Sequence, residues 1–583
     1  MTRRFFVTTS LLALLLCARG VSFSQGGAVA PAPSWRQPVR APHAMVASTS
    51  PLASAIGADV MKRGGNAVDA AVAVAFALAV VYPEAGNLGG GGFMLIRLSG
   101  GKTVAIDYRE VAPLASSRGM FLDARGELIK GAGSSTVGYR ASGVPGTVAG
   151  LELALKKYGS GRLTWAQLIE PARRIAAQGF ALSLRVAGTI RDHEKKLSAD
   201  EDSRRIFLNA GSFFKEGDTL RQPELAATLA RLQRFGAREF YEGRTARLIA
   251  DDMRRHGGLL TLDDLKGYRP KEREPLRQTY RGYEILSMPP PSSGGAVLME
   301  MLNILEGYDI AAMNPLASEK YHLLVEAMRR AYADRAEYMG DPDFVPVPAA
   351  AMIDKAYAAR RRASIKLDRA STSAEIRGGL TEENRTGETT HFSVIDPQGN
   401  TVANTYTLND LYGSGVTATG TGVLLNDEMD DFTAKPGTPN LWGMIQGERN
   451  SIEPRKRPLS SMTPTIVLRK DGSVWFAVGA RGGARIINAV LQIIVNVIDH
   501  RMNIQQAIDA PRVHHQWFPD AVRYEPYGLS ADTMRALASR GHKLEEATDP
   551  RNLASAEGVM IEEGTNVRLG ASDPRNDGVP VGY

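Results

Sequence analysis

The sequence predicts a mixed α+β fold, and three patterns support that prediction. Residues Ala67 to Val81 form an almost unbroken apolar run of helical length, which is typical of a buried helix. His391 to Asp396 and Thr401 to Leu408 are predicted strands, and the turn Pro397-Gln398-Gly399-Asn400 joins them. Between these regions, residues 143 to 340 show mostly helical spacing of apolar residues. The chain therefore combines long helices with paired strands.

The first 24 residues have the pattern of an export signal. Arg3 and Arg4 supply the charged start, and Phe5 to Ala18 form an apolar core too short to span a membrane comfortably. Ser22-Phe23-Ser24 places small residues at the usual cleavage spacing, so we expect cleavage after Ser24. Residues 25–42 are rich in Gly, Ala and Pro and predict a flexible linker, with the globular part beginning near His43.

The only cysteine, Cys17, lies in this leader. Lipid attachment there is an alternative, but the bulky Leu16 stands where a small residue is expected. A mature chain would hold no thiol and no disulfide, which excludes redox and thiolate chemistry. An export signal without disulfides is typical of a bacterial periplasmic or secreted protein.

Composition gives little support for nucleic-acid binding. The chain has 583 residues, 43% hydrophobic and 23% charged, which is ordinary for a globular protein. Three of its seven net positive charges belong to Arg3, Arg4 and Arg19 of the leader, so 7 minus 3 leaves a mature net charge of about +4. No basic run interleaved with aromatic residues is present.

The remaining elements follow from apolar spacing and from Gly and Pro breaks. Gly64-Gly65 divides the first helical region into two predicted helices, Pro51–Arg63 and Ala67–Val81. Further helices are predicted over Gly146–Tyr158, Thr164–Gln178, Pro223–Phe235, Thr245–His256, Ala296–Leu305, Ser318–Tyr338 and Ala484–Ile498. Further strands are predicted over Phe93–Leu98, Thr103–Tyr108, Tyr283–Ser287, Gly420–Asn426, Thr465–Arg469 and Val474–Val478.

Several motifs have a structural interpretation. Gly89 to Gly92 follows a helix and precedes a strand, the reverse of a dinucleotide fingerprint, which favours close backbone packing. Ser292-Ser293 lacks the flanks of a nucleophile elbow and predicts the start of a helix. Arg360 to Arg385 is polar without periodicity and predicts a solvent-exposed segment. His514 and His515 are adjacent, so they cannot chelate a metal together. We expect no metal site in the chain.

The order of residues in four segments resembles the gamma-glutamyltransferase (gamma-glutamyltranspeptidase) family. The segments are Thr389-Thr390-His391-Phe392-Ser393-Val394 with the following hairpin, Tyr82 to Gly89, Asp107-Tyr108-Arg109-Glu110 and Leu569 to Arg575. The resemblance extends from Ala41 to Tyr583. It implies an αββα sandwich of the N-terminal-nucleophile hydrolase class. It also implies cleavage of the Glu388–Thr389 bond, giving a heterodimer of a large subunit, residues 43–388, and a small subunit, residues 389–583, whose strands share one core.

The resemblance makes Thr389 the nucleophile, and elementary chemistry explains why cleavage would activate it. A threonine hydroxyl is a weak nucleophile without an adjacent base. Once Thr389 is a chain terminus, its α-amino group has a pKa near 8 and can serve as that base. Two threonines alone would more often be ordinary strand residues, so this prediction depends on the surrounding motif.

The resemblance also implies roles for other residues. Arg109 would bind the donor's α-carboxylate together with Ser460 and Ser461. Asp431, with Glu428 and Asn409, would bind the α-ammonium, although many bacterial relatives carry Gln at the position of Glu428. An acidic cluster after a strand is otherwise usually a solvated turn. Thr407 would align the nucleophile, and the loop Lys435 to Gly443 would be a lid with Trp442 as its gating aromatic.

Gly482 and Gly483 form a predicted strand-to-helix turn. Backbone N–H groups at such a turn, with the positive end of a helix dipole, suit an oxyanion hole. A plain turn would be the commoner interpretation without the resemblance.

The function expected from the resemblance is transfer of a gamma-glutamyl group, from glutathione or similar amides, to water or an amino-acid or dipeptide acceptor. No cofactor, nucleic acid or membrane partner is implied. The first alternative is a glutaryl or beta-lactam side-chain acylase of the same fold. A second alternative, from another class, is an uncut periplasmic binding protein, which one full-size band on a denaturing gel would favour.

Overall fold

Strands from distant parts of the chain alternate within two large sheets. The computed structural model describes residues 36–379, 390–438, 440–441, 443, 448–548 and 553–583. Its strands are β1 Val39–Ala41, β2 Met45–Ser48, β3 Gly91–Arg97, β4 Thr103–Tyr108, β5 Phe180–Ala181, β6 Thr219–Leu220, β7 Lys271–Arg273, β8 Leu276–Tyr280, β9 Tyr283–Ser287, β10 Thr390–Ile395, β11 Thr401–Thr407, β12 Thr417–Ala418, β13 Val423–Leu424, β14 Thr465–Leu468, β15 Val474–Arg481, β16 Val513–His514, β17 Val522–Tyr524, β18 Leu544–Glu546, β19 Ser555–Ile561, β20 Arg568–Ser572 and β21 Val581–Gly582.

Helices occupy most of the first part of the chain. They are α1 Pro51–Lys62, α2 Ala67–Val81, α3 Thr147–Tyr158, α4 Trp165–Gln178, α5 Leu184–Asp192, α6 Glu194–Leu197, α7 Glu201–Phe207, α8 Pro223–Phe235, α9 Arg238–Glu242, α10 Arg244–Arg255, α11 Leu262–Gly267, α12 Gly294–Leu305, α13 Ser318–Tyr338, α14 Ala349–Met352, α15 Lys355–Ala363, α16 Arg485–Ile498, α17 Ile504–Asp509 and α18 Ala531–Ser539. Within the described residues, no helix has the length and apolar character needed to cross a membrane.

The two main sheets each contain seven strands. Sheet I has the order β21-β2-β10-β11-β3-β4-β7, and sheet II has the order β1-β20-β19-β15-β14-β9-β8. In sheet I the hairpin β10–β11 lies between β2 and β3, which precede it by hundreds of residues. In sheet II the strands β14 and β15 similarly join β9 to β19. Neither part of the chain on the two sides of residue 389 could complete a sheet alone.

Three apolar cores separate four layers. Alternate residues of β10 point to opposite faces of sheet I: Phe392 and Val394 pack against the helical layer that contains α2, and Ile395 packs into the core between the sheets. A third core lies between sheet II and a second helical layer with α12, α13 and α16. The order of layers is therefore helices, sheet I, sheet II, helices.

Helix α2 shows how local signals and burial combine. Asn66 caps it by accepting from the backbone of Val68 and Asp69, and the Asp69 side chain completes a capping box. All its residues are buried, Phe76 among them with no exposed surface. Fully burying one such side chain contributes roughly 1.5–3 kcal/mol. This helix is therefore a central support for sheet I.

The glycine run and the hairpin fit together as close backbone neighbours, which confirms the packing interpretation. Tyr406 pairs with Gly92 and Thr407 with Gly91 in the antiparallel ladder of β11 and β3. A Cβ atom at Gly90 would lie 1.9 Å from the Thr407 carbonyl oxygen. No side chain fits there, so this part of the run requires glycine.

Most predicted elements are confirmed within a few residues at their ends, but two predictions are wrong. The predicted linker reaches too far, because Val39–Ala41 pairs with β20 and extends sheet II. Such backbone pairing needs no apolar periodicity, so composition alone hides it. The predicted strand Gly420–Asn426 shortens to Val423–Leu424, since Gly420 and Gly422 adopt positive φ angles of 72° and 66°. Both conformations belong to turns.

The predicted exposed segment Arg360–Arg385 is confirmed for most of its described residues, but some of its polar side chains are buried. Helix α15 continues to Ala363, and Arg361, with a side chain only 11% exposed, forms an ion pair with Asp334 at 3.1 Å. Ser373 is also buried. Charged residues therefore make internal pairs here that an apolar pattern cannot reveal. Residues 380–389 lie outside the described part of the chain.

Candidate active site

Arg109 lies at the centre of the candidate site and is fully buried. It follows the last residue of β4, and its backbone N–H donates to Asp107 Oδ1 at 3.0 Å. Its Nη1 donates to Glu428 and its Nη2 to Asp431, while Nε donates to the Pro458 carbonyl at 3.2 Å. The guanidinium is thus held in one orientation by partners from two segments, the turn with Glu428 and Asp431 and the loop with Pro458.

The carboxylates around Arg109 outnumber it. Glu428 and Asp431 begin and end one 3-10 turn. Burial raises the pKa of both carboxyl groups well above the ordinary range, and the positive charge of Arg109 cancels only part of this rise. Burial also raises the pKa of Glu110, 3.6 Å from Arg109 Nη1, to about 7. Burial lowers the pKa of Arg109, but the carboxylates outweigh this and raise it overall. An added cation would favour the charged carboxylates, so the cluster suits an ammonium group.

Thr407 and Asn409 connect the end of β11 to the acidic turn. The Thr407 hydroxyl oxygen accepts from the Asn409 backbone N–H at 2.8 Å. Asn409 has a positive φ of 76°, which asparagine tolerates better than most residues. Its side-chain N–H donates to the Asp427 carbonyl at 3.1 Å, directly before Glu428. Two hydrogen bonds therefore set the position of the turn relative to the hairpin.

Ser460 and Ser461 are buried in a loop next to Arg109. Arg109 Nη2 donates to the Leu459 carbonyl at 3.3 Å, and the Ser460 hydroxyl accepts from the Met462 backbone N–H at 3.1 Å. The Ser461 hydroxyl accepts from Arg335 Nη2 at 2.8 Å. The structure thus places both serines directly after Leu459, whose carbonyl Arg109 contacts.

Asn450 ties this serine loop to the acidic turn. Its side-chain N–H donates to the Asp431 carbonyl at 2.6 Å, and its side-chain oxygen accepts from the Leu459 backbone N–H at 3.0 Å. The amide thereby holds the backbone that carries Asp431 next to the backbone that carries Ser460. The two loops cannot move apart without breaking at least one of these bonds.

Gly482 and Gly483 form the turn between β15 and α16. Their φ angles are 130° and 65°, in the region that disfavours residues with a Cβ atom. A Cβ atom at Gly482 would lie 2.7 Å from Ala554 Cα. The turn lies at the N-terminal, positive end of a 14-residue helix, a position that favours negative charge.

Strand β15 brings this turn to the start of the hairpin. A Cβ atom at Gly479 would lie 2.4 Å from the ring of His391 on β10, so the two strands contact directly across the core between the sheets. His391 bonds to the hydroxyls of Thr405 and Ser393, each at 2.8 Å. Burial lowers the pKa of His391 to about 3. This histidine is therefore neutral at ordinary pH and part of the packing.

Three predicted residues, Glu388, Thr389 and Trp442, lie outside the described residues. The described sequence resumes at Thr390, which pairs with Tyr406. Part of the predicted lid is described: Lys435 forms an ion pair with Glu127 at 2.8 Å, and the Leu441 backbone N–H donates to Asp430 at 3.2 Å. The lid segment is thus attached to the same acidic turn that holds Asp431. The described residues contain no group of three or more His, Cys, Asp or Glu side chains that could hold a metal ion.

The sequence interpretation missed two residues that support the site. Arg335 contacts Ser461, and Glu84 forms a 3.7 Å ion pair with Arg481, the residue before Gly482. Burial would raise the pKa of Glu84, but Arg185 and Arg481 lower it to about 2. Glu84 belongs to a segment that carries the resemblance, which was its one available signal. Arg335 lies in an ordinary helical pattern with no signal at all.

Comparisons with known proteins agree with this arrangement. Residues 53–583 match the family described as "Gamma-glutamyltranspeptidase". The chain is 47% identical over 551 residues to the "Glutathione hydrolase proenzyme" of Escherichia coli (strain K12), covering 94% of this chain and 93% of that protein. It is 48% identical to the protein of the same name from Pseudomonas sp. (strain A14), covering 94% and 95%. It is 39% identical to "Acylase ACY 1 proenzyme" of Pseudomonas sp. (strain SE83), covering 94% of both.

Solved structures show the same relationship. A cephalosporin acylase from Bacillus halodurans superposes with a TM-score of 0.84 at 28% identity, covering 96% of this chain and 99% of that chain. A gamma-glutamyltranspeptidase chain from Helicobacter pylori superposes with a TM-score of 0.56 at 46% identity, covering 60% of this chain and 97% of that chain. The family match spans nearly all of the described chain, and the site residues that carry the resemblance meet in one buried cluster. The chain therefore belongs to the gamma-glutamyltranspeptidase family.

Proposed function

We propose that this chain is a self-processing gamma-glutamyltransferase that cleaves glutathione and related gamma-glutamyl amides. The observation that carries the proposal is the buried cluster of Arg109, Glu428 and Asp431 beside Ser460 and Ser461. It combines cationic and anionic groups within one buried cluster, as a donor with both an α-carboxylate and an α-ammonium requires. The identity of 47–48% to glutathione hydrolase proenzymes supports the same substrate class.

The precursor would be cut between Glu388 and Thr389, giving subunits of residues 43–388 and 389–583. Because sheets I and II both contain strands from each side of this bond, the two fragments would remain associated as a heterodimer. The fold would be the αββα sandwich of the N-terminal-nucleophile hydrolases. The four layers and the hairpin that begins at Thr390 support this assignment.

Thr389 would be the nucleophile of the mature enzyme. The strand register supports this role: Thr390 pairs with Tyr406, and Thr407 is the next residue of β11 beyond that pair. The Thr407 hydroxyl could then hold the Thr389 hydroxyl, as it now accepts from Asn409. The new α-amino group would remove the hydroxyl proton, since a terminal amine with a pKa near 8 is partly neutral.

The reaction would proceed through an ester. Thr389 Oγ1 attacks the gamma-carbonyl carbon, and the backbone N–H groups of Gly482 and Gly483 stabilise the resulting oxyanion. The α-amino group returns the proton to the leaving amine, and the C–N bond breaks. Water or the amine of an acceptor then attacks the ester, which releases glutamate or a new gamma-glutamyl amide and restores Thr389. Trp442 would close the lid over the bound donor.

The donor's ammonium would lie at Asp431, Glu428 and Asn409, and its α-carboxylate at Arg109, Ser460 and Ser461. The raised pKa values of the buried acids support this placement of the ammonium. The predicted leader supports a bacterial periplasmic or secreted location.

An acylase is the second candidate function, because an acylase proenzyme is 39% identical and a cephalosporin acylase superposes closely. A glutaryl donor carries the carboxylate but no ammonium group. The surplus of acids around Arg109 favours a donor that has both groups.

Incubation of the purified chain with glutathione, with and without a dipeptide acceptor, tests the proposal. We expect release of cysteinylglycine in both cases and a gamma-glutamyl dipeptide when the acceptor is present. Turnover of a glutaryl amide without turnover of glutathione would indicate the acylase. One uncut band and no turnover of either donor would indicate a binding protein.

A further inference from the structure

Arg335 is a buried arginine on α13 at the edge of the site. It is 1% exposed, and its Nη2 donates to the Ser461 hydroxyl at 2.8 Å and to the Ser460 carbonyl at 3.4 Å. Among the residues that the structure describes, Nε and Nη1 have no hydrogen-bond partner. The N–H groups on these two nitrogens therefore lie in the protein interior without an acceptor in the described part of the chain.

Neighbouring arginines on the same helix have carboxylate counter-ions. Arg330 is equally buried, but it forms an ion pair with Glu326 at 2.6 Å and donates to the Ser364 hydroxyl at 2.8 Å. Arg329 forms ion pairs with Glu326 and Asp520. Arg335, by contrast, forms no ion pair with any described residue. The difference is specific to the arginine that faces the serine loop.

The charge of Arg335 persists at neutral pH. Burial lowers its pKa to about 10, with Tyr332 and Asp431 acting in the opposite direction. A pKa of about 10 leaves the guanidinium protonated at pH 7. An isolated buried charge is costly unless a counter-ion or hydrogen bonds compensate it.

Arg109 and Arg335 approach the same loop but differ in charge balance. Arg109 donates to the Leu459 carbonyl, and Arg335 to Ser460 and Ser461. Arg109 already has two carboxylate partners, Glu428 and Asp431. A third carboxylate entering beside Arg109 alone would meet a cation that is already neutralised. Arg335 is the uncompensated cation next to the loop.

We propose that Arg335 is a further donor-binding residue, which supplies the uncompensated positive charge for the donor's α-carboxylate and orients the Ser461 hydroxyl toward it. The orientation follows from hydrogen-bond chemistry. The Ser461 oxygen accepts from Arg335, so its own proton is free to donate to a carboxylate. Arg335 would thereby offer the carboxylate a positive charge and, through Ser461, a hydroxyl whose proton is free to donate to it. This inference rests on the proposed gamma-glutamyl function.

Two competitive inhibitors that differ only by the α-carboxylate test the inference. L-glutamate carries it, and 4-aminobutyrate does not, while both keep the amine and the other carboxylate. Their inhibition constants are measured at pH 7 against a chromogenic gamma-glutamyl anilide. In Arg335→Met we expect the constant for L-glutamate to rise about tenfold or more, the scale of a lost charged hydrogen bond. The constant for 4-aminobutyrate should change less than threefold.

Arg330→Met is the matched control, since it removes a buried arginine from the same helix away from the serine loop. It should lower the thermal midpoint of unfolding and leave the ratio of the two inhibition constants unchanged. An equal rise for both inhibitors in Arg335→Met, or no change for either, would overturn the inference. A change of the ratio in Arg330→Met as large as in Arg335→Met would also overturn it.

Two further variants keep the inference testable if Arg335→Met does not cut itself. Arg335→Gln can still donate to Ser461 but lacks the charge, so it should lose the preference for L-glutamate. Arg335→Lys keeps the charge and should retain the preference within about threefold. The opposite pattern would contradict the charge assignment. If the unaltered chain has no gamma-glutamyl turnover, the proposed function fails; if it turns over normally and the ratios do not move, only the role of Arg335 fails.

Discussion

Arg109 and Asp431 are 322 positions apart in the chain and form an ion pair in its interior. They lie on opposite sides of the Glu388–Thr389 bond, so the two predicted subunits contribute one residue each. Both side chains have no exposed surface. An ion pair in this position would couple the proposed donor site to the assembly of the two predicted subunits.

Removing either partner should damage donor binding. Arg109→Ala and Asp431→Ala should each raise KM for glutathione and lower kcat/KM by about 30-fold to a few thousandfold, the equivalent of about 2–5 kcal/mol for breaking a buried charge pair. Arg118→Ala is the control, because Arg118 pairs with Glu448 across the same junction but both side chains are more than half exposed. Unchanged kinetics in both site variants would remove the pair from the donor site.

Self-processing should depend on the hydroxyl of Thr389. We expect this hydroxyl to attack the Glu388 carbonyl and form an ester that water opens. Thr389→Ala should therefore give one uncut chain on a denaturing gel, whereas the unaltered chain gives two fragments. Thr389→Ser keeps a hydroxyl and should still cut. Two fragments from Thr389→Ala, with the first ending at residue 388, would show that another group performs the cleavage.

The glycine turn before α16 should not tolerate a side chain. Gly483 has a φ of 65°, and we expect the substrate to approach its backbone. Gly483→Val should lower kcat by about a hundredfold or more, the scale of losing one oxyanion donor. Gly472→Val controls for backbone strain, since Gly472 has a φ of 82° in an open turn, where a Cβ atom would meet no other atom within 4 Å. A folded Gly483→Val protein with normal kcat would refute the oxyanion role.

The pH dependence of kcat/KM should follow the amine of Thr389 and not His391. Activity should rise with pH as a terminal amine with a pKa near or below about 8 loses its proton. Burial lowers the pKa of His391 to about 3, so this ring is already neutral across that range and cannot produce the rise. His391→Asn should keep the rising limb, provided that the variant still cuts itself. Loss of that limb in His391→Asn alone would identify His391 as the base.

The sequence by itself determined the elements whose signals are local. Helix α2 follows from its apolar run after the Gly64-Gly65 break, and the hairpin β10–β11 follows from strand residues around a Pro-Gly-Asn turn. The motif order also predicted that Arg109, Asp431 and the serine pair belong to one site. These features depend on residues that are close in the chain, where periodicity and turn chemistry act directly.

Only the tertiary structure decided which distant groups meet. Strand order placed β10 between β2 and β11, and it drew Val39–Ala41 into sheet II although composition there suggests a linker. Packing also gave Arg109 two carboxylate partners and left Arg335 with none among the described residues. An arginine in a helical pattern looks the same whether or not it has a counter-ion. The charge balance of a buried site is a property of three-dimensional neighbours, which no local pattern encodes.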